Sequence, residues 1–362
     1  MKKVKTGIVG CGKVADLHAR AYSRLENSEF TAVCSRSLEK AQALADQYGV
    51  KAYTDIRQMV EESGLEAVSI CTPHTVHRAS AVEAASCGCH IIIEKPLASS
   101  LEDCDAILAA QKAAGVKGAM LVQRRRYRPC MRVNETIEAG KIGKPMLGIV
   151  NMLGWRDRAY YESDPWRGSW AGEGGGVLPT QVTHQLDLLL WYMKSDIQQV
   201  YGVWRNFNHP YIEVEDTAVA TITFKSGAVA SVVASNSQNP ALYGKVHIFG
   251  DNGAGVGVQT DGGAMFIAGM SGITEAPYND LWTVPGEEEL REQMKKQDED
   301  FFFVSDPIYF YHEEQLGDFL TAIRQDTQPM VTIEEGRKTV ELFTAIYLST
   351  ESGMPVQFPV QP

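Results

Sequence analysis

Three short segments of this chain carry residue types at spacings that do chemistry. The first is Gly10-Cys11-Gly12-Lys13-Val14-Ala15, a Gly-x-Gly-x-x-Ala run. It follows the stretch Lys5-Thr6-Gly7-Ile8-Val9 and passes directly into a helical pattern from Ala15 to Leu25. Strand, tight turn and helix in that order are the context a dinucleotide fingerprint requires. Gly10 permits the turn, Gly12 lets the backbone approach a pyrophosphate, and Ala15 is small enough for helix to pack on strand. Lys13 and Val14 then open a helix whose unpaired N–H groups and partial positive charge suit phosphates. The second segment is Glu94-Lys95-Pro96, at the end of an apolar strand. Its lysine is either an ammonium aimed at a ligand oxygen or a solvated loop residue. The third is the pair Thr180 and His184, four residues apart on one helical face that Asp187 and Trp191 continue. A histidine of near-neutral pKa suits proton transfer. The plainer alternative is a buried histidine hydrogen-bonded to a neighbour such as Asp187.

The elements that must position these groups change character near residue 123. Before it, strands at Phe30–Cys34, Ala52–Tyr53, Ala67–Cys71, His90–Glu94 and Lys117–Val122 alternate with helices at Leu38–Tyr48, Ile56–Ser63, His77–Ser86 and Leu101–Ala114. Strands that are nearly all apolar, joined by helices, predict a parallel sheet covered on both faces. Such a doubly wound domain binds its ligand beyond the carboxyl ends of the strands. After residue 123 the strands read Met146–Leu153, Ile197–Arg205, Thr217–Phe224, Ala228–Ser235 and Lys245–Gly250, and the Lys225-Ser226-Gly227 turn predicts a hairpin. The second sheet is therefore expected to be largely antiparallel, with a helix from about Leu178 to Tyr192. Residues 251–300 yield little beyond a charged helix at Glu287–Lys296 and some exposed strand and loop. Two amphipathic helices, Tyr311–Arg324 and Ile333–Ser352, close the chain. The expected division is a Rossmann domain at 1–123 and an α/β substrate and oligomerisation domain at 124–362. The last helix is free to pack back on the first domain.

Composition narrows the class. The 362 residues carry a net charge of −11, which disfavours nonspecific binding to nucleic acid or anionic membranes. No apolar run approaches the roughly 20 residues of a membrane span. The N-terminus runs straight into the first strand, leaving no room for a signal peptide. Seven cysteines at irregular spacings indicate reduced thiols in a cytoplasmic protein. Cys87-Gly88-Cys89 lacks a complementing pair, so no metal site is expected.

Taken in order, the motifs resemble those of the Gfo/Idh/MocA oxidoreductases, the glucose–fructose oxidoreductase and inositol dehydrogenase group. The resemblance rests on the Gly10–Ala15 run, Thr72-Pro73-x-x-x-His77, Glu94-Lys95-Pro96, Arg126-Tyr127-x-Pro129, Gly174-Gly175-Gly176-x(7)-His184-x-x-Asp187 and the closing Val331-x-Ile333-x-x-Gly336-x-x-x-Val340. It implies a Rossmann domain followed by an α/β domain on an open, mostly antiparallel sheet. It also implies assembly through that sheet as a homodimer or homotetramer. The chemistry implied is hydride transfer between a nicotinamide and a secondary carbon of a sugar, glycoside (C3 included) or cyclitol. Lys95, followed by a cis proline, would orient and polarise the reacting oxygen, and His184 would be the acid/base. The cofactor contacts implied are Gly10, Gly12, Lys13, Val14, Ser35, Arg36, Thr72, Pro73, His74, His77, Glu94, Lys95 and Gln123.

The chain departs from the group's commonest pattern at Thr180, where many members carry Asp. Thr180 can hydrogen-bond but holds no charge, which puts a simple inositol- or glucose-dehydrogenase assignment in doubt. Members with a small polar residue there include enzymes acting on nucleotide sugars and on the 3-position of glycosides. For NAD(P)(H), Cys34-Ser35-Arg36-Ser37 has no carboxylate for the ribose hydroxyls, which leans slightly to NADP. The loop from Trp155-Arg156 to Trp166-Arg167 is dense in aromatics and arginines, a composition suited to a sugar or to packing on itself. Arg126 and Tyr127, where the two domains join, are further candidates for a substrate pocket. Two alternatives remain open at this stage. One is a redox-neutral glycoside-processing enzyme with tightly bound NAD, and the other a non-catalytic, cofactor-sensing regulator.

Overall fold

The computed structural model describes residues 2–262 and 275–361. The chain divides into two compact units, one of Met1–Gln123 with Ile308–Val340, the other of Arg124–Pro307 with Glu341–Pro362.

The first unit runs β1 (Val4–Val9), α1 (Ala15–Arg24), β2 (Ser28–Cys34), α2 (Leu38–Tyr48), β3 (Lys51–Tyr53), α3 (Ile56–Ser63), β4 (Ala67–Ile70), α4 (His77–Ser86), β5 (His90–Glu94), α5 (Leu101–Ala114) and β6 (Gly118–Leu121). Its six strands are all parallel, in the order β3-β2-β1-β4-β5-β6. This is the doubly wound sheet the sequence predicts. Helix starts follow local chemistry: Ser37, Asp55 and Ser100 each accept the backbone N–H three residues on, opening α2, α3 and α5.

The second unit begins with α6 (Arg128–Glu138), β7 (Pro145–Leu153), α7 (Arg158–Glu162), α8 (Trp170–Glu173) and α9 (Thr183–Met193). It continues with β8 (Ile197–Arg205), β9 (Thr217–Phe224), β10 (Val229–Ser235), β11 (Tyr243–Gly250), β12 (Gly255–Gly262), β13 (Tyr278–Trp282) and α10 (Leu290–Val304). The chain ends through α11 (Pro307–Gln325), α12 (Ile333–Ser352) and β14 (Val356–Gln357). The order of the second sheet is β13-β12-β11-β7-β10-β9-β8-β14, with β7 and β10 paired parallel and the other pairs antiparallel. The expected hairpin joins β9 to β10, where the Phe224 N–H donates to the Ala228 carbonyl at 2.9 Å.

In the first unit α11 packs with α1 on the sheet, so that Leu316, Phe319 and Leu320 join Ile8, Tyr22, Val33 and Ile92 in one core. The Gln315 amide donates to the Met120 carbonyl and accepts from the Val122 N–H, satisfying the edge of β6. In the second unit α9 covers the sheet against β7 and β11.

Sequence periodicity alone misses α6, α7, α8, β12, β13 and β14. Part of the unassigned 251–300 stretch, residues 263–274, lies outside the described residues. The charged helix of that stretch is shifted, to Leu290–Val304. The helix expected from Leu178 opens instead as a π turn, Leu178–Val182, before α9. Pro179 has no N–H to give, and the Glu215 carboxylate takes the N–H groups of Gly176 and Leu178 at 2.8 and 2.9 Å. The first turn is thus set by an outside acceptor. Single π turns of this kind occur often at functional sites.

Candidate active site

A parallel sheet delivers the carboxyl ends of all its strands to one edge. At that edge lie Gly10–Val14 after β1, Ser35 and Arg36 after β2, Thr72–His74 after β4, Lys95 after β5 and Gln123 after β6. The edge fits a dinucleotide. Gly10 has a φ of +98°, and a Cβ there would stand 2.7 Å from the Cys71 carbonyl group. Gly12 differs, because no atom lies within 4 Å of where its Cβ would be, which leaves space for a pyrophosphate. No side chain caps α1 at Val14, and the positive end of its dipole suits an anion. Thr72 Oγ1 and Gln123 Oε1 are buried and lack a hydrogen-bond partner among the described residues, as atoms awaiting a ligand would be. Arg36 is exposed, and the Ser35 hydroxyl accepts the Ser37 N–H at 3.4 Å.

A direct test of this edge is Gly12→Val, which fills the open space without disturbing the core. It is expected to leave the thermal midpoint unchanged and to raise the dissociation constant for the dinucleotide at least about tenfold. Unchanged binding by calorimetry would remove the turn from the site.

Two residues expected to contact a cofactor turn inward instead. His77 is fully buried, with Nε2 2.9 Å from the Thr72 carbonyl and Nδ1 3.1 Å from the carbonyls of both Pro96 and Leu97. Burial lowers its pKa, and the ring sits between the loop after β4 and the loop after β5 with one N–H to donate across that gap. Glu94 is also buried, facing His18 and His312. The carboxylate accepts from His18 Nε2 at 3.0 Å, and His18 Nδ1 meets Ser69 Oγ at 2.9 Å. Lys95 itself is half-buried, and its peptide bond to Pro96 is cis. His18 and Tyr22, four apart on α1, were a legible signal for this arrangement: two polar residues on an otherwise apolar face.

In the second unit His184 is buried on α9 and Thr180 on the π turn before it. The Thr180 hydroxyl lies against the Gly176 carbonyl and Gln181 Oε1 and can donate to one at a time. Asp187 forms a bidentate pair with the buried Arg125, at 2.7 and 2.8 Å, under the Trp191 ring.

Arg156 and Arg167 come together on Tyr160, a residue that sequence reasoning did not single out, with Trp166 against Arg167 and Trp155 against His209. The guanidiniums of Arg156 and Arg167 stand 5.3 and 4.3 Å from the Tyr160 ring, and Arg167 is 4.3 Å from Trp166. Arg167 Nη1 donates to the Tyr160 hydroxyl, which also accepts from Gln181 Nε2 at 3.0 Å. His209, buried between Asp216 and the Arg156 carbonyl, fixes the same loop and lies tilted against the Trp155 ring at 5.5 Å. Burial works to raise the Asp216 carboxyl, but His209 and the N–H groups of Asn208 and Phe207 hold it well below its ordinary range. Arg126 and Tyr127 are not part of this cluster, and Tyr127 is buried edge-on against Phe302.

Glu215 anchors the whole lead-in to α9. Besides Gly176 and Leu178, it accepts from the Tyr347 hydroxyl at 2.9 Å, and a Cβ on Gly176 would collide with the Glu215 carbonyl. Burial pushes the Glu215 carboxyl up to about 7, against these donors. The folded chain therefore holds a proton between pH 4.5 and about 7 that the unfolded chain has released. Stability from this group falls as pH rises through that window, by roughly 3 kcal/mol in all. Glu215→Gln is expected to flatten that part of a urea-denaturation series run from pH 5 to pH 8. An unchanged slope would contradict the assignment.

Among the described residues no helix is long and apolar enough to cross a membrane, and no group of three or more His, Cys, Asp and Glu could hold a metal. All seven cysteines are free thiols.

Comparison with known proteins places this geometry in context. Residues 4–121 match the family model described as an oxidoreductase family with an NAD-binding Rossmann fold. Residues 130–256 match the GFO/IDH/MocA C-terminal domain. The scyllo-inositol 2-dehydrogenase (NAD(+)) of Bacillus subtilis is 25% identical, over 99% of this chain and 97% of its own. The D-glucoside 3-dehydrogenase of Escherichia coli is 26% identical, over 62% of this chain and 68% of its own. The crystal structure of the WlbA dehydrogenase from Bordetella pertussis, in complex with NADH and UDP-GlcNAcA, superimposes with a TM-score of 0.87 at 26% identity, covering 99% of both chains. An NAD-binding family model and an NADH complex lend no support to the lean toward NADP. The chain belongs to the GFO/IDH/MocA family of oxidoreductases, with an NAD-binding Rossmann fold over residues 4–121.

Proposed function

We propose that this chain is an NAD(H)-dependent dehydrogenase, or ketoreductase in reverse, acting on a secondary carbinol of a sugar, glycoside or cyclitol. The observation that carries the reading is Lys95, which follows β5 at the same carboxyl edge of the sheet as the open Gly12 turn. When bound, the nicotinamide supplies the hydride acceptor. Lys95 orients the substrate hydroxyl and stabilises the oxygen as its charge develops. His184 takes the hydroxyl proton as the carbon–oxygen bond becomes a carbonyl, and returns it in the reverse direction. Thr180 supports the turn that presents His184, through the one hydrogen bond its hydroxyl donates to Gly176 or Gln181. The aromatic and arginine cluster around Tyr160 suits a carbohydrate face, and the arginines favour an anionic or nucleotide-linked sugar. The names of the relatives support inositols and the C3 carbinol of glycosides as the substrate class.

Assembly as a homodimer or homotetramer has its support in the second sheet, whose Tyr201, Val219 and Val229 are exposed apolar positions. Seven free thiols support a cytoplasmic setting.

The test is absorbance of the reduced nicotinamide on mixing enzyme, NAD and a panel of inositols, aldoses, glycosides and a nucleotide-linked uronic sugar. Reduction by one class of the panel supports the reading and names the class. A cofactor that binds and stays oxidised with every member contradicts it.

A further inference from the structure

We propose that Gln181 is a positioning residue: its buried amide ties the π turn before α9 to Tyr160 and so sets the register of the helix that carries His184. This rests on the reading of His184 as the acid/base. Gln181 is buried within the Leu178–Val182 turn. Its Nε2 donates to the Tyr160 hydroxyl at 3.0 Å, and its Oε1 accepts from Asn236 Nδ2 at 2.9 Å. The Thr180 hydroxyl lies against the same Oε1. One amide therefore joins α7, the segment after β10 and the turn itself. Asn236 is fixed in its own right, since its N–H donates to the Asp216 carbonyl at 2.8 Å and its carbonyl accepts the Arg156 N–H at 3.1 Å.

A π turn holds one residue more than an α turn, and it is rare because α geometry packs better. Closing it to α geometry swings everything beyond it by about 100°, the angle between successive residues of a helix. Glu215 holds the start of the turn, through the N–H groups of Gly176 and Leu178. With that end fixed, the direction in which His184 leaves the helix depends on the turn staying open. Gln181 grips the turn from the side, three residues before His184, through bonds to two elements outside the helix. Tyr160 and Asn236 are buried like Gln181, so water cannot replace these bonds when they are cut. The arginine loop keeps other anchors. The Gly168 N–H donates to Glu173 at 2.6 Å, the Tyr160 N–H to Asp157 Oδ1 at 2.9 Å, and Arg167 Nε to Asp164 at 3.4 Å. Loss of the amide therefore disturbs the turn more than the loop, and catalysis more than binding.

The experiment is a double-mutant cycle on the full chain. Gln181→Met keeps the side-chain length and removes the amide, and Tyr160→Phe removes only the hydroxyl. With the panel member that reduces NAD, Gln181→Met is expected to lower kcat at least about tenfold while KM stays within about threefold. The double variant is expected to match Gln181→Met within about twofold, since both substitutions cut one link. A folded Gln181→Met with kcat within about twofold of wild type, or losses that add in the double variant, overturns the proposal. Carbon NMR of histidine-labelled protein asks the same question without substrate, the His184 signal being identified by its loss in His184→Gln. That signal is expected to move in Gln181→Met, or in Tyr160→Phe should the methionine variant fail to fold, while the His90 signal of the other unit stays. A His184 signal that stays in place overturns the proposal. The spectrum needs no turnover, so the register of α9 is decided even where no panel member reduces NAD, and the dehydrogenase reading can stand when this proposal fails.

Discussion

Lys95→Ala is expected to lower turnover at least about a hundredfold, equivalent to about 2.7 kcal/mol of transition-state stabilisation, with dinucleotide affinity within about twofold of wild type. The split follows from where the parts lie. The features that suit the dinucleotide are the Gly10–Val14 turn, the uncapped start of α1 and the orphaned polar atoms of Thr72 and Gln123. None of these depends on the lysine side chain. What is lost is a charge on the oxygen that changes its bonding during the reaction, and such a charge acts on kcat more than on binding. The truncation leaves the loop in place, because its anchors are the His77 contacts to Pro96 and Leu97 and the Lys95 backbone N–H to Glu94. Stopped-flow turnover with calorimetric binding checks both halves. Near-normal turnover removes Lys95 from the mechanism.

The second large effect is on stability. Asp187→Ala strands the Arg125 guanidinium, whose side chain is 2% exposed, without its bidentate partner. An uncompensated buried charge costs about 3–5 kcal/mol. Urea denaturation is expected to show a lower midpoint at an unchanged m-value. Turnover falls as well, because Asp187 sits three residues beyond His184 on α9 and the pair moors that helix to residue 125. Replacing both partners together, Arg125→Met with Asp187→Leu, is expected to recover most of the stability. A single variant within about 0.5 kcal/mol of wild type would contradict a stabilising role for the pair.

The sequence made the site's motifs legible because each is local. Gly-x-Gly-x-x-Ala, the lysine at a strand end and the histidine after a glycine-rich run all declare themselves within a dozen residues. Helices such as Leu38–Tyr48 were legible to the residue, since Ser37 caps one end and Gly49 closes the other. Helix α6 was overlooked although Cys130, Val133, Asn134 and Ile137 recur at helical spacing, because Pro129 reads as a breaker when it stands in the first turn. What periodicity cannot reveal is who pairs with whom. Asp187 reads as a partner for His184 by proximity on one helix, yet it goes to Arg125. Glu94 reads as part of a binding motif, yet it faces a histidine from α1 and another from α11. Glu215 and Asp216 look like ordinary loop carboxylates. The fold buries both, one under the turn that leads to His184 and the other against His209. These are long-range pairings, which the topology decides.

Isotope transfer tests whether the carbinol hydrogen moves to the nicotinamide as hydride. The panel member that reduces the cofactor is prepared with deuterium on the carbinol carbon and taken through a single turnover, and the nicotinamide is weighed by mass spectrometry. One deuterium is expected in the reduced nicotinamide, with a carbonyl in the product. Deuterium lost to solvent, or retained in a product formed with no net reduction of the cofactor, would contradict it.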